Sequence, residues 1–195
     1  MKQFSGYKAE APVRREKLPA GGYVARIMDA REQEYSWGSV LLISFDIAEG
    51  EHKDFFATDY RGQQQEDKKW RGTYRLRVPK DDGSEQDAWS KRSFGNAMWA
   101  VEASNSGYHW DWNEGGLKGK LVGVLFRNKE WEMNGNTGWT TECCSLVDVE
   151  SIRQNRFTMP KDKPLKQHTT SSAPASSPSA GFEEVAIESD DDLPF

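Results

Sequence analysis

A run of basic residues interleaved with aromatic ones lies near the middle of the 195-residue chain. From Lys68 to Lys80 the sequence KKWRGTYRLRVPK has six Lys or Arg residues, two aromatic residues and no Asp or Glu. Cationic side chains neutralise phosphates, and aromatic rings provide faces on which unpaired bases stack, at about 1–3 kcal/mol per base. The same composition also fits an exposed strand edge whose lysines discourage aggregation. The candidate contacts in this run are Lys68, Lys69, Trp70, Arg71, Tyr74, Arg75 and Arg77.

Two shorter polar segments also place aromatic residues beside cationic ones. REQEYSWG contains Tyr35 and Trp37, and NKEWEMNGNTGW contains Trp131 and Trp139. Aromatic rings in polar loops suit stacking on bases, although a tryptophan at such a place can equally cap the end of a hydrophobic core. Cationic residues next to these segments are available for phosphate contacts. They are Arg31, Arg127 and Lys129.

The sequence has no arrangement typical of a catalytic or metal site. It lacks the GxxxxGK[ST] motif of nucleotide-driven motors, and acids such as Asp111, Glu114 and Glu142 have no recognisable magnesium-binding spacing. Cys143 and Cys144 are adjacent, so on a strand their side chains would point to opposite faces, and no zinc spacing is present. We therefore expect a protein that is not an enzyme and has no catalytic residues, metal or cofactor.

The charge of the chain is unevenly distributed. The sequence has 26 Lys and Arg residues against 31 Asp and Glu, a formal net charge of -5. Six of the acidic residues lie from Thr169 onward, where there is no Lys or Arg, so 25 acidic residues accompany the 26 basic ones before that point. The body is therefore close to neutral, and the tail carries the negative charge.

The sequence shows no membrane or secretion signal. It has no run of about 18 apolar residues, the length that a membrane helix needs. The N-terminal MKQFSGYKAEAPVRREK has no apolar stretch after its charges, as a secretory signal would. We expect a cytoplasmic protein without a membrane partner.

Alternating apolar residues predict a series of β-strands. LPAGGYVARIMDA (18–30) begins with turn residues and continues with residues typical of a strand. In VLLISFDIA (40–48) every second residue from Leu41 to Ile47 is apolar, which predicts one fully apolar face. HKDFFAT (52–58), which follows a turn-like AEGE, is predicted to be the hairpin partner of that strand.

The second half of the body predicts another strand, a helix and two final strands. In GTYRLRVP (72–79) the aromatic and aliphatic residues are expected to face inward and the two arginines outward. In DAWSKRSFGNAMWAVEAS (87–104) apolar residues at i, i+3, i+4 and i+7 predict the only clear amphipathic helix. The last strands are predicted from 120 to about 127 and from about 138 to 149.

This order of elements predicts a mainly β protein with an OB-fold, a five-stranded Greek-key barrel that has one helix between strands 3 and 4. A split β-sandwich also fits the order. In an OB barrel, two loops and the exposed face of the middle strands frame the nucleic-acid groove. The aromatic segments described above would supply those loops.

The C-terminal part of the chain has a different composition. TTSSAPASSPSAG (169–181) cannot bury enough apolar surface to offset chain entropy, which predicts a disordered linker over 166–182 after a folded domain over 1–165. Residues 183–195 form an acidic tail with an apolar tip, whose terminal Phe can enter an apolar pocket while its acids meet a basic rim. The predicted partner-docking residues are Asp190, Asp191, Asp192, Leu193, Pro194 and Phe195.

The last eight residues, ESDDDLPF, resemble the tip of the bacterial single-stranded DNA-binding protein family. Members of that family join an OB domain through a disordered linker to a DDDLPF-like tip, which docks replication, recombination and repair enzymes. The resemblance implies a protein that coats single-stranded DNA without sequence preference and recruits host enzymes through its tip.

The body of the chain resembles a second group. LPAGGYVARI, LKGKLVGVLF and VESIRQNRFTMPKDKPL are similar to segments of phage and prophage proteins that are encoded with replication or recombination genes and regarded as single-stranded DNA-binding proteins. This resemblance covers residues 4 to about 165 and implies a bacteriophage protein acting in a bacterial host cell. The body does not resemble the usual bacterial family, so the sequence leaves the oligomeric state open, a homo-oligomer included.

Two alternative functions remain open from the sequence. A strand-annealing recombination protein would also bind DNA, although such proteins are usually more helical. An adaptor would use the tip to reach host replication machinery without binding DNA itself. The adaptor hypothesis predicts that the basic residues from Lys68 to Lys80 are dispersed, instead of facing one groove together with Trp70 and Tyr74.

Overall fold

The computed structural model describes residues 16–165, which fold as a five-stranded antiparallel sheet with one long helix and two short ones. The strands lie side by side in the order β3-β2-β1-β4-β5. Their bounds are β1 Gly21–Tyr35, β2 Gly38–Ile47, β3 Thr73–Arg77, β4 Leu121–Met133 and β5 Asn136–Val147. The helices are α1 Phe55–Gly62, α2 Glu85–Ser104 and α3 Val149–Arg153, and a 3-10 turn spans Glu114–Leu117. The predicted mainly β class and the helix between β3 and β4 are confirmed.

The alternation in β2 builds the inner face of the sheet. Leu41, Ile43, Phe45 and Ile47 are all at most 3 % exposed and form the centre of the hydrophobic core. Side chains of a strand alternate between faces, so the intervening residues of β2 lie on the outer face. The inner face of the sheet is covered by α2, whose stripe of apolar residues joins the same core. These residues are Phe94, Ala97, Met98 and Val101.

The sheet curls but is not closed by hydrogen bonds within residues 16–165. β3 pairs only with β2, and β5 only with β4, yet the two edge strands approach within 8 Å between Cα atoms. Tyr74 of β3 lies in this gap, where burial and the nearby Cys143 and Cys144 raise the pKa of its hydroxyl. The edges of the sheet are therefore neighbours in space, and α2 contacts both of them.

The segment 52–58, predicted to be a strand, instead leads into α1, so that prediction is wrong. The helix begins where the buried carboxylate of Asp46 accepts hydrogen bonds from the backbone N–H groups of Phe56 (2.9 Å) and Ala57 (3.0 Å). A carboxylate at a helix N-terminus satisfies N–H groups that have no partner within the helix. Phe56 then packs edge-on against Phe45 in the core. A contact distant in sequence therefore overrides the β-type composition of the segment.

The other predicted strand ends also differ from the observed ones. β4 extends to Met133 and β5 begins at Asn136, so the two form a long hairpin in place of two strands joined by a loop. β5 ends at Val147, because the Asp148 side chain accepts a hydrogen bond from Ser151 N (2.8 Å) and caps α3. The observed strand therefore ends two residues before the predicted end at residue 149.

Part of the outer face is covered by α3 and the chain that follows it. A Cβ placed on Gly22 of β1 would lie 2.7 Å from both Ile152 and Phe157, and one on Gly123 of β4 would lie 2.6 Å from Ile152. A Cβ at either position would force α3 or the chain after it to shift. The two glycines thus allow α3 to cover the junction of β1 and β4, whereas on the outer face of β2 and β3 Leu42 is half-buried and Arg75 is exposed. No helix within residues 16–165 is long and apolar enough to cross a membrane.

We predict that Asp46→Ala destabilises the fold by about 1–3 kcal/mol, because buried backbone donors lose their acceptor. Urea denaturation followed by circular dichroism measures the change. Asp29→Ala is the matched control, since Asp29 lies exposed on neighbouring β1 and should change stability by less than about 0.5 kcal/mol. Equal effects of the two substitutions would contradict the capping role of Asp46.

Candidate nucleic-acid interface

The outer face of β1, β2 and β3 presents a cationic row. Arg31 of β1 is opposite Leu42 of β2, and Leu42 is opposite Arg75 of β3, so the three side chains share one face. Both arginines are exposed and Leu42 is half-buried between them. The predicted outward orientation of Arg75 is confirmed. The row joins two residues that are 44 positions apart in the sequence.

The two arginines of the cationic row have no acidic partner within the described part of the chain. Neither Arg31 nor Arg75 has an ion pair or a side-chain hydrogen bond to any residue from 16 to 165. On the adjacent row of the same face, Asp29 is opposite Ser44, and Ser44 is opposite Thr73. The outer face therefore offers cationic and hydroxyl groups to an anionic ligand, with Asp29 as an exposed carboxylate beside them.

An aromatic stack lies at one end of this face, at the turn between β1 and β2. The rings of Tyr35 and Trp37 are stacked, with centroids 5.1 Å apart and planes inclined by 7°. The guanidinium of Arg77 lies 5.2 Å from the Trp37 ring centroid, a cation–π contact. Lys80 lies over the same turn, because a Cβ on Gly38 would be 3.0 Å from its Cε. The structure thus brings together Tyr35, Trp37 and Arg77, three of the candidate residues from the sequence.

Two aromatic residues of the basic run lie elsewhere. The indole N–H of Trp70 donates to the backbone carbonyls of Phe45 and Gly72, both at 3.1 Å, and its half-buried ring packs against the core. Tyr74 is opposite the fully buried Ile43 and therefore lies on the inner face. Neither ring presents a free stacking surface on the outer face, so their inclusion among the base-stacking candidates is not supported by their positions.

The first cations of the basic run lie in the loop between α1 and β3. Lys69 is exposed and forms a loose ion pair with Asp67 (3.7 Å), while Arg71 pairs with Asp59 (3.4 Å). Lys68 lies 5.8 Å from the ring of Tyr60. The structure does not bring Lys68, Lys69 and Arg71 into the cationic row. The run from 68 to 80 is thus divided between a loop, the core and the outer face.

The cations of the β4–β5 hairpin share one acidic partner. The carboxylate of Glu142 accepts two hydrogen bonds from Arg127, at 2.9 Å and 2.7 Å, and lies 3.2 Å from the Lys129 ammonium. These side chains are about a quarter exposed. Much of the positive charge predicted for phosphate contact is therefore neutralised within the protein.

The two tryptophans of the hairpin lie on opposite faces of it. Trp131 is opposite Gly138, and Trp139 is opposite Glu130, at adjacent register positions. The Trp131 ring covers Gly138, since a Cβ there would lie 2.8 Å from the ring. Trp131 is 37 % exposed and Trp139 is 43 % exposed. Only one of them can therefore share a face with Arg127.

No group of three or more His, Cys, Asp or Glu residues within residues 16–165 is arranged to hold a metal ion. Burial raises the pKa of the Cys143 thiol, and also that of Cys144, so both are protonated at neutral pH and are poor nucleophiles. The docking residues from Asp190 to Phe195 lie outside the described residues.

The chain matches no protein-family model, and no curated protein is significantly similar to it. The interface therefore has to be interpreted from its own geometry. Two members were missing from the sequence-based set: Leu42, which separates the arginines, and Lys80, which lies over the turn. Lys80 could have been included from the sequence, because it is the last residue of the basic run. Leu42 could not, because its place between the arginines depends on strand pairing.

We predict that Glu142→Gln strengthens binding to an immobilised polyanion, because Arg127 loses its ionised partner. The measurement is the salt concentration at which the protein elutes from heparin. Glu132→Gln is the control, since it makes the same change of charge on an exposed part of the same hairpin. If both variants elute at the same salt concentration, the effect is one of net charge only.

Proposed function

We propose that the protein binds single-stranded DNA without sequence preference, through the outer face of β1, β2 and β3. The observation that carries this proposal is the cationic row of Arg31 and Arg75 beside the Tyr35–Trp37 stack. Arginines contact phosphates, and aromatic rings at the end of such a face provide surfaces against which a base can stack. Both interactions tolerate any sequence, so the face suits coating of a strand.

The strand order supports an OB-type barrel as the scaffold. An OB barrel is a five-stranded Greek key with a helix between its third and fourth strands, and it binds oligonucleotides on the face of strands 2 and 3. Here β1 pairs with both β2 and β4, α2 lies between β3 and β4, and the β3 and β5 edges are neighbours. The cationic row crosses β1 to β3, where such a barrel would hold a strand.

The tail supports a second half of the function. The resemblance of Glu188–Phe195 to the tip of bacterial single-stranded DNA-binding proteins suggests that it recruits host replication, recombination and repair enzymes. A docking tip tethered to a DNA-binding domain raises the concentration of a bound enzyme near the coated DNA. We infer a bacteriophage protein that acts in the cytoplasm of its host.

One observation favours the adaptor alternative. The basic run is dispersed, because Trp70 and Tyr74 pack against the core while Lys69 and Arg71 pair with acids of the loop and α1. An adaptor would dock host enzymes through the tip without binding DNA. Titration with oligo-dT separates the two functions, because an adaptor would leave the tryptophan fluorescence unchanged.

We predict that Arg31→Ala and Arg75→Ala each weaken binding to oligo-dT about fivefold, on the order of 1 kcal/mol. Each lost phosphate contact should also lower the slope of log K against log salt by about 0.7. Fluorescence anisotropy at several salt concentrations measures both. Arg156→Ala, which removes an exposed arginine of the segment after α3, is expected to bind like the wild type. Unchanged slopes in the two interface variants would exclude this face as the phosphate-binding surface.

We predict that Trp37→Ala weakens oligo-dT binding by about 1–3 kcal/mol, because it removes one ring of the Tyr35–Trp37 stack and the cation–π partner of Arg77. Trp112→Ala is the matched control, since Trp112 is 79 % exposed and lies beside α2, away from the cationic row. Circular dichroism should show both variants folded. A loss of affinity in the control as large as that in Trp37→Ala would argue against specific stacking at the turn.

A further inference from the structure

The outward side of α2 is a helix face that no other described element covers. Its members repeat every three or four residues, the spacing of a seam that packs against another helix. Trp99 is 59 % exposed and Trp89 is 50 % exposed. Large aromatic residues concentrated on one exposed face mark an interaction surface. We call this the α2 seam; it consists of Ala88, Trp89, Arg92, Gly95, Asn96, Trp99 and Ala103.

Gly95 has no role that the described residues 16–165 explain. It lies in the interior of a 20-residue helix, where glycine is less favourable than alanine. A Cβ placed on it would meet nothing within 4 Å, and its φ is not in the left-handed range. Neither the backbone nor a described neighbour therefore requires glycine there. The missing side chain instead leaves room for another backbone to approach the middle of the seam.

We propose that the α2 seam binds the α2 seam of a second copy of this chain. In a two-fold dimer, residue i of one copy faces residue j of the other, and the same pair recurs by symmetry. With the helices antiparallel and the axis between Gly95 and Asn96, Arg92 of each copy faces Trp99 of its partner. The small residues Ala88 and Ala103 also face each other.

The complementarity of this pairing favours a second copy over an unrelated partner. Arg92 is exposed and has no ion pair or side-chain hydrogen bond to any residue from 16 to 165. An arginine over a tryptophan ring is a favourable cation–π contact, and the dimer would contain two of them. In this arrangement each Arg92 faces an aromatic ring of the other copy and not the other Arg92.

The size of the seam predicts a reversible dimer. An aromatic side chain buries about 150–250 Å² when fully covered, so the half-exposed Trp89 and Trp99 contribute roughly 200 Å² per copy. The rest of the seam, apart from Arg92, consists of Ala, Gly and Asn, so the contact lies at or below the low end of specific interfaces, about 1,200 Å² in total. We therefore expect a weak dimer that dissociates on dilution.

The dimer is independent of the proposed DNA-binding face. The opposite side of α2 packs into the core through Phe94 and Met98, whereas the cationic row lies on the outer face of the sheet. A dimer through α2 therefore leaves Arg31 and Arg75 open. Failure of DNA binding would not affect the mass of the protein in solution, so the two proposals are tested separately.

Sedimentation equilibrium of the full chain, from low to a few hundred micromolar, tests the dimer. The mass should rise with concentration toward twice 22.2 kDa. Trp99→Ala and Arg92→Glu each alter two symmetry-related contacts and should raise the dissociation constant about tenfold or more. The exchanged double variant, Arg92→Trp with Trp99→Arg, rebuilds the pair in reverse and should restore association.

Gly95→Gln separates a lost interface from a damaged fold. A larger side chain at the crossing should abolish the dimer, yet it should leave the melting temperature of the monomer equal or higher, because glutamine favours helix more than glycine does. Trp112→Ala is the control, since it removes an exposed tryptophan outside the seam and should leave the dimer intact. A monomer at every concentration, or a dimer that Arg92→Glu and Gly95→Gln do not weaken, would overturn the proposal.

Discussion

A β-bulge at Met28 determines which side chains of β1 reach solvent. The register of β1 against β2 shifts by one residue between Ile27 and Asp29, so Met28 is the extra residue. Ile27 is buried before the shift and Ala30 after it, and Arg31 consequently lies on the outer face. Without the bulge, Arg31 would follow the phase of Ile27 into the core, where an unpaired guanidinium is strongly destabilising. The core and the cationic row therefore depend on the same irregularity.

The exposure and charge of the sheet's outer surface differ from one region to another, because different elements cover it. Near the β1–β4 junction, α3 packs over Gly22 and Gly123, so that region is apolar and closed. On the β4–β5 hairpin, Glu142 holds the nearby cations in ion pairs. The face of β1, β2 and β3 has neither cover, which leaves its arginines available. On the outer surface of the sheet, Arg31 and Arg75 thus remain exposed and without an ion pair to the described residues.

Local periodicity predicted the elements whose apolar residues form one face that must be buried. The alternation in β2 and the i, i+3, i+4 stripe of α2 each define a face that must be buried, so both elements were found where the sequence placed them. The start of α1 could not be predicted in the same way. Its N-terminal N–H groups are satisfied by Asp46, ten residues earlier and on another element, and local composition does not reveal that contact.

Three features could be predicted from the sequence: the mainly β class, the segregation of charge into the tail and the outward orientation of Arg75. Each follows from composition or from an alternation that a single strand imposes. The contacts that each aromatic ring makes, by contrast, follow from the tertiary structure. Trp70 and Trp37 look alike in the sequence, yet the Trp70 indole is held by two backbone carbonyls at the core, while Trp37 is stacked at the turn. The reason is that strand pairing brings together neighbours that are far apart in the sequence. The local sequence around a ring does not show which neighbours these will be.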